Sequence, residues 1–300
     1  MSKTIKIIEQ DIIFLSYNEP NAEKNYADLL AKVPWAKRVH GVKGSDAAHK
    51  ACAALSETEY FTTVDGDNII DPKYLEVEIE IDGTVFTDEN VFSWAGNVHV
   101  NGLKYGNGGL KLWTRKFVNE MKTHENSDPN DVQGKVEFCF DQRYYQFNDC
   151  YSESFTNTTP EQAWRAGFRE GVKMCLVQGA RVKNTSEIWW QNYHRLLVWS
   201  SVGADVENGI WSILGAREGA YKTLLTDWDY ANVRDFDWLT EFWNENHAQL
   251  KLEKMTEYIN FLAQELRDKS KLEIANLDSD GSKFFKTVYN PAPRSVRKKF

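Results

Sequence analysis

The chain is 300 residues long with 42% hydrophobic content, enough to bury the core of one large α/β domain or of a domain with an appendage, and too apolar for a disordered chain. A formal net charge of −8 argues against a protein that coats nucleic acid without specificity, because such binding draws on Lys and Arg to neutralise phosphates, although it leaves room for a local basic groove. Cys52, Cys139, Cys150 and Cys175 show no C-x-x-C pairing and read as scattered reduced thiols of a cytoplasmic protein. The first residues lack the apolar core of a signal peptide, and no run reaches the ~18–20 apolar residues of a membrane span.

Residues 11–16 are an apolar run that predicts a strand, closed by Tyr17-Asn18-Glu19-Pro20. A helix is expected over residues 21–31, with Tyr26, Leu29 and Leu30 on one face. Residues 36–42 predict a second strand, closed by Gly41 and Gly44, and Ser45 is the expected N-cap of an alanine-rich helix over 46–56. The strand that follows, Tyr60-Phe61-Thr62-Thr63-Val64, ends abruptly in Asp65-Gly66-Asp67-Asn68. Strand alternation carries side chains i and i+2 to the same side, and Gly66 lets the backbone bend, so both carboxylates can reach one hard cation at roughly 2.0–2.2 Å. The same four residues are also good turn formers. Two strand–helix crossovers ahead of an acidic strand end predict a mostly parallel sheet with ligands at the carboxyl ends of its strands.

Beyond this, residues 101–113 form a glycine-dense loop running into a short strand, which permits either close backbone approach to a ligand or a plain hairpin connection. A helix is expected from Thr114 to about residue 122, a polar loop over 126–134, and strands over 135–140, 144–147 and 150–155. Thr159-Pro160-Glu161-Gln162 is a capping box that opens a helix with Trp164, Phe168, Val172, Cys175 and Leu176 as its buried stripe. Arg165, Arg169 and Lys173 recur at i, i+4, i+8 on an adjacent face. They can grip a diphosphate or a nucleic-acid backbone, or form a solvated rim paired with Glu161 and Glu170. Past residue 184 the pattern is mainly helical: a helix over 187–201 carrying His194, an interruption at Gly203 to Gly209, and two helices between residues 236 and 270. Eight of the eleven tryptophans lie beyond residue 150, mostly as core, with one or two suited to stacking on a sugar or a base. The tail after Pro291 and Pro293 is locally basic and reads as a solvated end.

The order strand, Tyr-Asn-Glu loop, helix, strand, Lys-containing helix, Asp-x-Asp, then Asp71-Pro72-Lys73-Tyr74-Leu75 resembles the nucleotide-binding half of GT-A fold glycosyltransferases over about residues 11–75. The segments Ala47-Ala48-His49-Lys50, Gly106-Asn107-Gly108-Gly109, residues 163–170 and residues 202–209 extend the likeness to a glycosyltransferase family of tailed bacteriophages. That resemblance implies a GT-A type mixed, mostly parallel α/β sheet flanked by helices. It would form a catalytic domain over 1–230, with a helical C-terminal extension over 231–300 packed on it. It implies Mn²⁺ or Mg²⁺ on Asp65 and Asp67, with His194 as a third ligand supplied from late in the domain. Tyr17, Asn18 and Glu19 would line the nucleotide pocket, Lys50 would approach the ribose or phosphates, and Asn107 and Lys111 would touch the sugar. Arg165 and Arg169 are the phosphate candidates of the helical stripe. Asp205 and Glu207, with Asp141 and Glu153 as rivals, are the candidate acceptor-activating bases.

The activity implied is metal-dependent transfer of a sugar, with arabinose one candidate, from a UDP-linked donor to an acceptor hydroxyl. Within the wider phage group the acceptor implied is 5-hydroxymethylcytosine in double-stranded DNA, in the cytoplasm of an infected host cell. A glycan-modifying transferase, a nucleotidyltransferase and a non-catalytic carbohydrate- or DNA-binding protein are the alternatives. A nucleotidyltransferase would consume a nucleoside triphosphate and release pyrophosphate, and a binding protein would show no turnover.

Overall fold

The computed structural model describes residues 3–106, 109–126, 128, 130–132, 134, 136 and 141–289. In chain order, β1 (Lys3–Lys6) is followed by β2 (Asp11–Ser16), α1 (Ala22–Lys32), β3 (Lys37–His40), α2 (Ser45–Leu55), β4 (Tyr60–Asp65), β5 (Asn68–Ile70) and β6 (Glu78–Ile81). Next come β7 (Val91–Val98), β8 (Lys104–Tyr105), β9 (Leu110–Thr114), α3 (Arg115–Glu120) and β10 (Tyr144–Ser154). The second half contributes α4 (Pro160–Met174), the paired strands β11 (Leu176–Val177) and β12 (Ala180–Arg181), α5 (Trp190–Trp199), α6 (Gly209–Leu225), α7 (Phe236–Asn246), α8 (Leu252–Ser270) and α9 (Ser279–Val288).

Among the described residues an eight-stranded sheet runs in the order β3-β2-β4-β9-β7-β10-β5, with β8 paired to β7. β3, β2, β4, β7 and β10 point one way, and β9, β8 and β5 the other. The chain therefore has a mixed α/β sheet flanked by helices, but not the mostly parallel one expected: β2–β3, β2–β4 and β7–β10 are parallel, while β4–β9, β9–β7, β7–β8 and β10–β5 are antiparallel, because β9 inserts between β4 and β7 in the opposite direction. β2 lies inside it and is covered on both faces, which is why it reads as a continuous apolar run rather than an alternating one. Ile12 and Phe14 pack with Leu29 of α1 on one side, while Ile13 packs with Cys52 of α2 and Phe117 of α3 on the other. The carboxyl ends of β2, β3 and β4 thus open at one rim of the sheet.

Helix packing fixes the other wall. α4 starts at the expected N-cap, where Thr159 Oγ1 accepts from the Gln162 amide at 3.2 Å, but the reciprocal bond shifts by one residue: Gln162 Oε1 accepts from the Thr158 amide at 3.0 Å rather than from that of Thr159. Gly167 and Gly171 of α4 face Gly215 and Gly219 of α6 so closely that a Cβ on Gly167 would overlap the Ser212 carbonyl, and one on Gly215 the Trp164 carbonyl. With that face of α4 pressed on α6, the Arg165 and Arg169 face is turned toward the sheet rim. Trp164, Phe168 and Val172 share a core with Leu239 and Trp243 of α7 and Ile259 and Leu262 of α8, so the C-terminal helices are packed into the same interior as α4.

Several expected elements are redrawn. The strands anticipated over 144–147 and 150–155 are one strand, β10, whose register on β7 shifts between Gln146 and Cys150 and again between Cys150 and Ser152. The helix anticipated over 187–201 begins only at Trp190, because Trp189 is extended (ψ 134°) behind a 3-10 turn at Thr185–Glu187. α9 and the β1–β6 pair are additions to the expected order. The strand expected over 135–140 falls largely outside the described residues, as do Asn107, Cys139 and the basic tail from residue 290. No helix among the described residues is long and apolar enough to cross a membrane.

Candidate functional site

A cleft of about 880 Å³ lies between the sheet rim and α4, and its wall is made by loops from both halves of the chain. The Asp65-Gly66-Asp67 turn sits at its floor, between β4 and β5. The backbone of this turn is tied at three points: the Asp65 amide donates to Gly109 O at 3.0 Å, Gly66 O accepts from Asn25 Nδ2 at 3.0 Å, and Asp67 O accepts from the Phe155 amide at 2.8 Å. A Cβ on Gly66 would come within 2.8 Å of Glu19 Oε2, so the glycine is what lets the Glu19 carboxylate approach the pair. Glu19 is itself held by the Tyr17 amide, which donates to Oε2 at 2.8 Å.

Three half-buried carboxylates therefore crowd one corner. Burial, then the neighbouring Asp65 and Glu19, push the Asp67 carboxyl up to about 7. Burial raises Asp65 as well, Glu19 adding to the rise while Lys111 and Arg169 oppose it. Such repulsion marks a place where positive charge is wanted. Two carboxylates with room for phosphate and water oxygens are the donor set that Mg²⁺ or Mn²⁺ takes in nucleotide sites, so Asp65 and Asp67 fit a divalent ion. Among the described residues no three His, Cys, Asp or Glu side chains form a metal-binding group, so the remaining ligands would come from substrate and water.

Cations line the same cleft. Lys111, on β9, is within electrostatic reach of Asp65. Arg165 and Arg169 present their guanidinium groups to the ring of Phe236, at 5.1 and 4.8 Å from its centroid. Burial works against the charge of both, and the Arg169 Nε has no hydrogen-bond partner. Phe236 opens α7, and the exposed Lys43–Asp237 ion pair at 2.8 Å links the loop after β3 to that helix. At the start of α2 the amides of Ser45 and Asp46 donate to Glu125 at 2.7 and 3.0 Å.

Of the residues singled out in the sequence, Tyr17, Asn18, Glu19, Asp65, Asp67, Lys111, Arg165 and Arg169 are brought together in this one cleft. Six are placed elsewhere, and none of these lines the cleft. Lys50 turns back one helical turn to Asp46 at 2.6 Å. His194 meets the Tyr289 hydroxyl at 2.9 Å and stacks on that ring, so it does not complete a site with Asp65 and Asp67. Asp141 pairs with Arg143 at 2.9 Å, Glu153 with His99 at 2.8 Å, and Asp205 with Lys286 at 2.7 Å, while Glu207 is exposed. The four anticipated bases are thus occupied or remote. Asn107 lies outside the described residues.

The cleft also holds residues that were not singled out as site residues: Tyr105, Glu125, Glu170, Trp189, Arg195 and Phe236. Their signal is weak in sequence because each comes from a different element, and only the fold makes them neighbours.

No protein-family model matches this sequence, and no curated protein matches it. Among solved structures, a glycosyltransferase involved in the glycosylation of the major capsid of PBCV-1 is similar with 13% identity and a TM-score of 0.30, covering 50% of this chain and 94% of that one. At that score the pairing carries no residue roles from one chain to the other.

Proposed function

We propose that this chain is a glycosyltransferase that moves a sugar from a nucleoside-diphosphate donor, UDP-linked, to an acceptor hydroxyl. The observation that carries the reading is the tethered Asp65-Gly66-Asp67 turn facing Lys111, Arg165 and Arg169 across one cleft. Negative charge grows on the diphosphate as the sugar–phosphate bond breaks, and a site that speeds this step must stabilise that charge. Arg165 and Arg169, lying over the Phe236 ring, present planar donors suited to phosphate oxygens, and the unpartnered Arg169 Nε is one such donor. A Mn²⁺ or Mg²⁺ on Asp65 and Asp67 would supply Lewis-acid stabilisation of the same leaving group. Tyr17, Asn18 and Glu19 border the region where the nucleoside would lie.

The finer acceptor reading, 5-hydroxymethylcytosine in DNA with arabinose among the candidate sugars, rests on the sequence resemblance. The test is to incubate the protein with radiolabelled UDP-sugars, including UDP-arabinose, Mn²⁺, and either hydroxymethylated DNA, unmodified DNA or free glycans. Label on hydroxymethylated DNA alone is expected. Label only on glycans removes the DNA acceptor, and absence of both transfer and UDP release with every pair removes the transferase reading.

A further inference from the structure

A cleft that activates an acceptor hydroxyl needs a group to take its proton, and the acids anticipated for that task lie elsewhere. The acids that do line the cleft are Glu19, Asp65, Asp67, Glu125, Glu170, Asp235 and Asp237. Asp65, Asp67 and Glu19 form the crowded corner assigned to the leaving group. Glu125 has both oxygens on the α2 amides. Asp235 caps α7 by accepting from the Trp238 amide at 3.0 Å, and Asp237 holds Lys43. Glu170 remains.

Its setting differs from the others. Glu170 Oε2 accepts from the Tyr105 hydroxyl at 2.5 Å, and that hydroxyl in turn accepts from Trp199 Nε1 at 3.1 Å. An indole N–H can only donate, so the single phenolic proton is directed to Glu170, and the carboxylate is fixed from behind by a two-step relay out of the core. Tyr105 is buried and its proton is held tightly: burial and then Glu170 raise it well above its ordinary range. Oε1 has no hydrogen-bond partner among the described residues. Arg195 lies 4.7 Å over the Tyr105 ring and donates to Asn192 Oδ1 at 3.3 Å, and Gln178 and Trp189 also line the cleft, so it offers polar and aromatic groups suited to a hydroxylated acceptor. Arg169 is within electrostatic reach of Glu170, Asp67 and Asp65 alike, which relates this wall to the leaving-group corner. The charged and titratable groups sharing the cleft with Glu170 are Arg165, Arg169 and Lys173 of its own helix, Tyr105 of β8, Lys111 of β9, Arg195 of α5, Asp65 and Asp67, Tyr17 and Glu19 after β2, Lys43 and His49 around the start of α2, His124 and Glu125 after α3, Tyr144 of β10, and Arg234, Asp235 and Asp237 at the start of α7.

We infer that Glu170 is the general base of the transfer, with Tyr105 and Trp199 as its positioning residues, and that the reaction inverts the anomeric carbon. This rests on the transferase reading above. The acceptor O–H bond breaks with its proton going to Glu170 Oε1. The acceptor oxygen forms its bond to the anomeric carbon on the face opposite the phosphate, and the carbon–oxygen bond to the diphosphate breaks with its electron pair leaving on the nucleoside diphosphate.

The test compares wild type with Glu170→Gln, Glu170→Asp and Tyr105→Phe, using the donor and acceptor that wild type turns over. Glutamine still accepts the Tyr105 proton, so Glu170→Gln is expected to keep wild-type Tm and UDP affinity while transfer falls by about 10²–10⁴ and the acid limb of the pH–rate profile disappears. Glu170→Asp keeps the carboxylate but retracts it, so it retains the acid limb with kcat between the two. Tyr105→Phe frees the carboxylate, lowering kcat without raising the donor KM. NMR of the product should show the inverted anomer. Wild-type turnover in Glu170→Gln, or a product of retained configuration, overturns the base assignment alone. Wild-type protein that transfers no sugar overturns the transferase reading and this one with it.

Discussion

Two regions of the molecule bury charge, and they treat it in opposite ways. Between α4, α6, α7 and α8, Glu218 is 2% exposed and both its oxygens are engaged: Oε2 accepts from Trp164 Nε1 at 2.8 Å and is 2.9 Å from His247 Nε2, while Oε1 accepts from Tyr258 at 3.0 Å. Arg217 beside it donates from all three guanidinium nitrogens to the carbonyls of Ser200, Ile259 and Ala275. In the cleft, Asp67 is crowded by two other carboxylates and accepts from Asn68 Nδ2 at 2.6 Å on Oδ1, and Arg169 Nε has no partner. A buried charge whose bonds are complete holds helices together, whereas half-buried like charges crowded beside an unpartnered donor are suited to a ligand.

The largest expected effect that sharpens this contrast is Asp67→Asn. Transfer should fall by about 10³ or more, as expected when a group that stabilises the leaving charge is removed. Stability should move the other way. The Asp67 carboxyl is raised to about 7 in the folded chain, above the roughly 3.9 of an unfolded aspartate, so its ionisation opposes folding as pH rises through that window. Without added metal, Asp67→Asn should melt higher than wild type at pH 8, and the gap should close below about pH 4. A variant less stable than wild type at pH 8 would show that Asp67 is a satisfied structural charge like Glu218.

Next in size, the double substitution Arg165→Ala and Arg169→Ala should weaken UDP binding about 10–150-fold, the equivalent of one charge-assisted hydrogen bond, measured by calorimetry with Mn²⁺ present. Unchanged affinity would return the stripe to a structural role on Phe236. In the interior, Gly167→Ala should cost about 1–3 kcal/mol in denaturant unfolding, because the new methyl meets the Ser212 carbonyl. A neutral result would mean that α4 and α6 can separate without loss. Smallest of all, His194→Ala should leave transfer and Mn²⁺ affinity at wild-type values, since His194 rests on Tyr289 outside the cleft.

What could be read in the sequence was what depends on near neighbours. The Asp-Gly-Asp turn follows from two-residue alternation, the α4 start from a four-residue capping box, and the arginine stripe from helical spacing. What could not be read was the partner of each acid. Glu153 meets His99 from 54 residues away, Asp205 meets Lys286, and Glu170 meets Tyr105 from 65 residues away. An acid engaged in an ion pair and one lining a cleft look alike in sequence, so acids alone do not tell Glu153 or Asp205 from Glu170. Lys50 is different: its partner Asp46 sits at the i,i+4 spacing of α2, and that pairing was legible. The glycines of α4 and α6 were also in plain view. Only the contact between the two helices gives them meaning, because a helix glycine by itself is no signal of close approach.

Asp65 and Asp67, half-buried beside Glu19, are proposed to hold a cation against a diphosphate. Calorimetric titration of UDP into the wild-type protein and into the Asp65→Asn/Asp67→Asn double variant, each in saturating Mn²⁺ and in EDTA, tests it most directly. Strong binding is expected only for wild type with Mn²⁺, weakened by at least ~10-fold by EDTA or by the double substitution. Equal affinity in all four titrations would contradict it.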